Sequence, residues 1–169
     1  ARLREVLRTG DCEIYVVEIG ASEMRQRGIR PDRYDLFEEL LEEAGVRSLP
    51  RLLPMKTWDV TFWDHDMWAD DAMLSRAAEI EEVLFGKSPP IDIAGEPDTS
   101  EKFATWLNRV CDVQAMWCHL HYANDVFVTS DGNFHKATKR PRLLAMGAGR
   151  ICRPEELRRP TLRCRGPGA

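Results

Sequence analysis

CDVQAMWCHLHYANDVFVTSDGN, residues 111–133, sets a carboxylate, an amphipathic helix, a short apolar strand and a second carboxylate in that order. After Asp112 the apolar residues Val113, Met116, Trp117 and Leu120 fall at i, i+3, i+4 and i+7, so one helical face is apolar and is expected to pack on a sheet. Residues 122–125 turn the chain. Val126, Phe127 and Val128 then form an unbroken apolar run, the pattern of a strand buried on both faces of a parallel sheet. A helix of about twelve residues runs out roughly 18 Å, and the extended stretch from Asp125 to Asp131 returns roughly 20 Å. Asp112, read as opening the helix, and Asp131, just past the strand, are therefore expected on one edge. That edge is the carboxyl end of the sheet, where open α/β folds place their sites.

The flanking sequence supports the same class. Residues 1–8 read as helical and residues 13–17 as a strand; residues 21–27 begin a helix that residues 28–31 break. Residues 32–44 make a second helix with Phe37, Leu40, Leu41 and Ala44 on one face and Gly45 as its stop. Helical spacing returns at Met73, Ala77, Ile80 and Leu84, residues 86–99 form a long loop, and residues 101–110 read as a short helix before Asp112. Beyond Asn133, residues 135–145 are expected to be helical with a break near Pro141, residues 150–152 a last edge strand, and residues 160–169 a loose end. Strands alternating with helices indicate an α/β fold, a small parallel sheet flanked by helices.

The 169 residues, 43% hydrophobic and 31% charged, suit one soluble domain large enough to bury its own core. The expectation is a domain over residues 1–158 with an insertion at about 48–99, followed by a basic tail over 159–169. No apolar run has the length of a membrane span and no signal peptide is evident, so a cytoplasmic setting is expected. Five scattered cysteines without a CxxC pair indicate idle or buried thiols rather than a disulfide framework or zinc ribbon. No dinucleotide fingerprint or P-loop is present. Residues 136–169 carry ten Lys or Arg against Glu155 and Glu156, about +8, while the rest of the chain is about −12. A basic segment beside an acidic body fits a polyanion docking next to a carboxylate site, and equally a solvated basic tail.

Glu23, in the first turn of the helix after strand 13–17, is expected on the same sheet edge as Asp112 and Asp131. Three clustered carboxylates repel unless a cation joins them. Mg²⁺ or Mn²⁺ meets that need, taking one or two carboxylates, waters and substrate phosphate oxygens, and it polarises a phosphoryl group. Phosphodiester hydrolysis is the chemistry this suggests. Each acid also has a plainer role: Asp112 as a helix N-cap, Asp131 with Gly132 as a turn, and Glu23 as a complement to the helix dipole.

The run from Cys111 through TSDGNF resembles the C-terminal half of a PIN domain, with its Asp opening a helix, its strand ending in T-x-D, and its following Asn and Phe. EIYVVEIGASEM, residues 13–24, resembles the family's second strand and next helix, and RICRPEEL, residues 150–157, its final strand. The resemblance implies a three-layer fold and a metal-dependent nuclease, usually of RNA and often the toxin of a toxin–antitoxin pair. It places Glu23, Asp112 and Asp131 among the metal-binding acids, with Thr129, Ser130 and Asn133 as auxiliary residues. Lys136, Lys139 and Arg140 are then expected to neutralise the RNA backbone. An antitoxin protein and a second copy of the chain are the further partners this reading allows.

Two features depart from the family. PIN domains begin with a strand ending in a central metal-binding Asp, and this sequence begins with what resembles the helix after that strand. Asp11 precedes strand 13–17 and does not replace the missing acid, so the sequence reads as truncated or its site as altered. The alternative function is accordingly a catalytically impaired module that binds RNA or protein. The stretch MKTWDVTFWDHDMWAD, residues 55–70, is the second departure. It reads as an insertion docked by its tryptophans, or as a lid or an aromatic surface on which bases stack. Neither Asp64, His65 and Asp66 nor the pair His119 and His121 has the spacing of a metal site. His135 is read as a surface histidine within reach of the proposed rim.

Overall fold

A computed structural model describes residues 12–27, 33–87 and 89–157 of the chain. The readings for residues 1–8, for the break at 28–31, for Asp11 and for the basic tail lie outside the described residues. The chain divides into two compact units, one of Val16–Cys118 and one of Ala1–Tyr15 with His119–Ala169. Helices and parallel strand pairs alternate along the described residues, as an α/β class requires. No helix among them is long and apolar enough to cross a membrane.

In the unit Val16–Cys118, strand β1 (Val16–Val17) pairs in parallel with β2 (Arg51–Leu52). The ladder is shorter than the 13–17 expectation. Its partner lies between Pro50 and Pro54, and proline cannot donate to a ladder. Helix α1 (Gly20–Glu23) follows β1 and tightens into a 3-10 turn at Met24–Arg27. Helix α2 (Tyr34–Ala44) buries Phe37 and stops at Gly45, whose φ of 73° lets its N–H reach the last carbonyls. Helix α3 (Asp71–Phe85) starts where the Asp70 carboxylate accepts from the Met73 N–H at 2.8 Å and buries Ile80, Val83 and Leu84.

Helix α4 (Glu101–His121) is a single helix of 21 residues. The expected short helix over 101–110 and the new start at Asp112 are therefore corrected: Asp112 sits mid-helix, and Ser100 does the capping by accepting from the Phe103 N–H at 3.0 Å. Packing explains the continuity. Phe103, Leu107 and Cys111 recur every four residues and bury together with Ile19 and Val60, and burying each large apolar side chain contributes roughly 1.5–3 kcal/mol. No Gly or Pro between 101 and 121 opposes it. A second cluster joins Ala21 of α1, Phe37 of α2 and Phe62.

In the other unit, β3 (Val126–Val128) pairs in parallel with β4 (Arg150–Cys152), with Phe127 opposite Ile151. The expectation of burial on both faces of β3 is corrected. Phe127 is buried and Val128 is exposed, so the apolar run follows the two-residue period of a strand with one covered face. Gly149, at φ +57°, lets the chain pass against Asp125 so that the Arg150 N–H donates to the Asp125 carbonyl at 2.9 Å. The expected long helix over 135–145 is a 3-10 turn at Gly132–His135 and a short helix α5 (Arg140–Ala145). Pro141 opens α5 rather than breaking it, because the first helical turn needs no proline N–H.

Candidate functional site

Glu23 ends α1 and is exposed, while Asp112 lies half-buried on α4. Both charges act on the Cys111 thiol. Burial first, then the negative charge of Glu23 and of Asp112, push that thiol far above its ordinary range, against the opposing pull of Arg25. Asp112 is the chain neighbour of Cys111, but Glu23 comes from a different element. The packing of Ile19 against Cys111 brings the start of α1 to the middle of α4, which places the two acids within electrostatic reach of one sulfur. Two of the three acids expected from the sequence thus share a locality within this unit.

Arg25 is the cation of this locality. Its side chain is 8% exposed and pairs with Asp98 at 3.0 Å, donates to the Asp59 carbonyl, and lies 5.3 Å from the Phe103 ring centre. Much of its hydrogen-bonding capacity is directed at those partners. Among the described residues no three His, Cys, Asp or Glu side chains gather into a metal-holding group. Mg²⁺ and Mn²⁺ take as few as one or two carboxylates, with water and substrate oxygens completing the shell.

Asp131 belongs to the other unit, where it caps the turn Gly132–His135. Its Oδ1 accepts from the Asn133 N–H at 2.7 Å, and its own N–H donates to Thr129 Oγ1 at 3.1 Å. The turn role read beside the metal role is thus present in the geometry, and Asp131 remains exposed. Thr129 extends the β3 ladder by donating to the Cys152 carbonyl at 3.0 Å, and its carbonyl meets His135 Nε2 at 3.0 Å. The Ser130 carbonyl accepts from Arg153 at 3.1 Å. Lys139 donates to Asn133 Oδ1, and Arg140 donates to the Ile151 carbonyl at 3.0 Å. Of the three cations expected to meet phosphate, Lys136 is the exposed one, whereas Lys139 and Arg140 are half-buried. His135 is also half-buried.

Two constellations escaped the sequence reading. Glu18, just after β1, is buried and accepts from the Tyr34 hydroxyl, with Arg51 Nε at 3.7 Å and His65 Nδ1 at 3.9 Å. Burial and then the bond to Glu18 hold the Tyr34 phenol well above its usual range, and His65 stacks on Tyr34 at 3.6 Å between ring centres. Only strand-end position hinted at Glu18. The second constellation surrounds Lys56. Its Nζ lies 3.8 Å from the Trp63 ring centre, 5.2 Å from Trp68 and 5.5 Å from Trp58, and 3.4 Å from Asp66. The expectation that these tryptophans dock the insertion into the core is corrected, because each is about 70% exposed.

The cysteines behave as expected for idle thiols. Among the described residues Cys111, Cys118 and Cys152 are buried thiols, and burial pushes Cys118 up to about 12. Compared with protein-family models, with curated proteins and with solved structures, the chain gives no match.

Proposed function

We propose that the chain is a PIN-like, Mg²⁺- or Mn²⁺-dependent endoribonuclease of three-layer α/β architecture, in which Glu23 and Asp112 hold the ion. The observation that carries this reading is that Ile19, at the start of α1, shares one buried cluster with Cys111 of α4, which brings together the elements bearing Glu23 and Asp112. A bound ion supplies a polarised phosphoryl oxygen and a more acidic water. The carboxylates contribute orientation and charge, and α4 supplies rigidity, since Asp112 is fixed in the middle of a long packed helix rather than at a fraying end. Asp131, the third acid of the sequence reading, and the exposed Lys136 belong to the other unit. A protein that masks the site, in the manner of an antitoxin, belongs to the same proposal.

A second reading, a module that binds RNA without cutting it, is favoured by Arg25. Its charge acts on the same thiol as the two acids, with the opposite sign, so it is a built-in counter-ion that lessens the need for a metal. Incubation of the chain with a mixed RNA pool, with Mn²⁺ and with chelator, separates the two. The nuclease reading expects Mn²⁺-dependent internal cleavage that Asp112→Asn and Glu23→Gln each reduce about a hundredfold or more, with Asp131→Asn tested beside them. Variants that cut as fast as the parent would refute it, and RNA retention without cleavage in Mn²⁺ would establish the second reading.

A further inference from the structure

The loop of residues 54–67 is closed on itself and built in advance of any partner. Met55 and Met67 form a parallel bridge, the Lys56 N–H donates to the Met67 carbonyl at 2.7 Å, and the Met67 N–H donates to the Pro54 carbonyl at 2.9 Å. A compact loop with joined ends presents its side chains from a fixed base. Inside it, the Lys56 ammonium is surrounded by three indoles and Asp66, and its side chain is 9% exposed. Asp66 is held in turn by the Thr61 hydroxyl at 2.5 Å. Lys56 thus fills the compact cation position of an aromatic cage.

The indoles themselves remain open, with Trp58, Trp63 and Trp68 exposed by 69–72%. Tryptophan is on average a well-buried residue, and three exposed within eleven positions form an aromatic patch of the kind that marks a binding surface. Its charge decides the partner. Asp59, Asp64 and Asp71 are exposed in the same stretch, Lys56, buried against Asp66, is the sole Lys or Arg between 56 and 71, and the Arg25 side chain, which reaches the Asp59 carbonyl, is itself buried and paired with Asp98. An acidic rim repels phosphate, which counts against the base-stacking alternative. It attracts a cation, and with the ammonium position taken, the group that suits flat indole faces beside carboxylates is the planar guanidinium, which stacks and pairs bidentately.

We propose that the tryptophan loop is a docking surface for an arginine-bearing basic segment of a partner protein. The proposal draws on no role of Glu23 or Asp112, so its failure would leave the nuclease reading untouched. The probe is an acetylated, amidated peptide alternating Gly and Arg, titrated against the full chain by calorimetry and tryptophan fluorescence at about 0.15 M ionic strength. Matched peptides with lysine or citrulline in place of arginine, and an oligouridylate, serve as comparators. Saturable binding of the arginine peptide is expected, at least about fivefold tighter than the lysine peptide, with the citrulline peptide and the oligouridylate giving no saturable signal. Trp63→Ala with Trp68→Ala, which keeps every acid, should weaken binding about tenfold or more. Asp59→Asn with Asp64→Asn, which keeps every indole and Lys56, gives an independent reading and should weaken it severalfold. Unchanged affinity in either double variant, or equal binding of the lysine peptide or the oligouridylate, would overturn the proposal.

Discussion

The Gln114 side-chain amide pairs with the Met55 backbone as a neighbouring strand would: Oε1 accepts from the Met55 N–H and Nε2 donates to the Met55 carbonyl, both at 3.1 Å. Nε2 also donates to Thr57 Oγ1 at 3.0 Å. A single polar residue on α4 therefore satisfies both main-chain groups at the root of the tryptophan loop, in a buried setting where neither can turn to water.

Gln114→Leu keeps the volume and removes both bonds, leaving the buried Met55 N–H unpaired and its carbonyl with the Thr57 hydroxyl alone, at 3.4 Å. The expected loss is about 1–3 kcal/mol, the scale for one orphaned buried group. Urea unfolding of parent and variant measures it. A loss below about 0.5 kcal/mol would show that the loop root finds other partners.

His119 couples stability to pH. It is buried, and its Nε2 lies 2.8 Å from the Ala148 carbonyl, with the ring 5.2 Å from that of Phe127. Burial lowers its pKa below the ordinary 6.5, while the Ala148 bond and Asp125 pull the other way. The folded chain then binds this proton less readily than the unfolded chain. Its contribution is full above pH 6.5 and is lost as the pH falls through the lowered folded value. Urea midpoints of the parent should drop more steeply between about pH 7 and 5 than those of His119→Gln, which retains a donor for Ala148 but does not titrate. Parallel profiles would remove His119 as the cause.

Gly149→Ala should be among the most damaging single-methyl additions. A Cβ there would stand 2.4 Å from the Asp125 carbonyl oxygen, a backbone atom, at a φ of +57° that side chains disfavour. Clash and strain together are expected to cost about 2–5 kcal/mol. Gly132→Ala is the control, since nothing lies within 4 Å of its Cβ position and its φ is not positive. Equal melting temperatures for the two variants would contradict this account.

The elements that sequence period and punctuation specify are the ones legible beforehand. Gly45 stops α2, the Met73–Leu84 spacing marks α3, and β3 and β4 are parallel as expected. What failed was the choice between local and tertiary signals. Asp112 has the chemistry of an N-cap, yet the Phe103, Leu107 and Cys111 stripe continues through it, and packing overrides a capping preference of about 1 kcal/mol. At Pro141 a breaker by propensity was a starter by position. The site was legible only in part. Glu23 and Asp112 act on one thiol, whereas Lys139 and Arg140 meet Asn133 and the Ile151 carbonyl, contacts that no spacing in the sequence announces. The cage on Lys56 was hidden because tryptophans in an insertion read first as anchors.

Thiol reactivity tests the burial of α4. Burial raises Cys111 and Cys118, and Cys152 as well, so thiolate is scarce at neutral pH and access is poor. Cys111, Cys118 and Cys152 should therefore resist alkylation in native buffer and label only on unfolding. Rapid labelling of Cys111 in the folded chain, read by peptide mass spectrometry, would mean that the α1–α4 packing opens readily.

The central claim, that Glu23 and Asp112 jointly hold a divalent ion, is tested most directly by titrating the chain with Mn²⁺ and following free ion by electron paramagnetic resonance. A saturable Mn²⁺ site is expected on the parent, which both Glu23→Gln and Asp112→Asn weaken about tenfold or more. Mn²⁺ affinity that is the same in the parent and in both variants would contradict it.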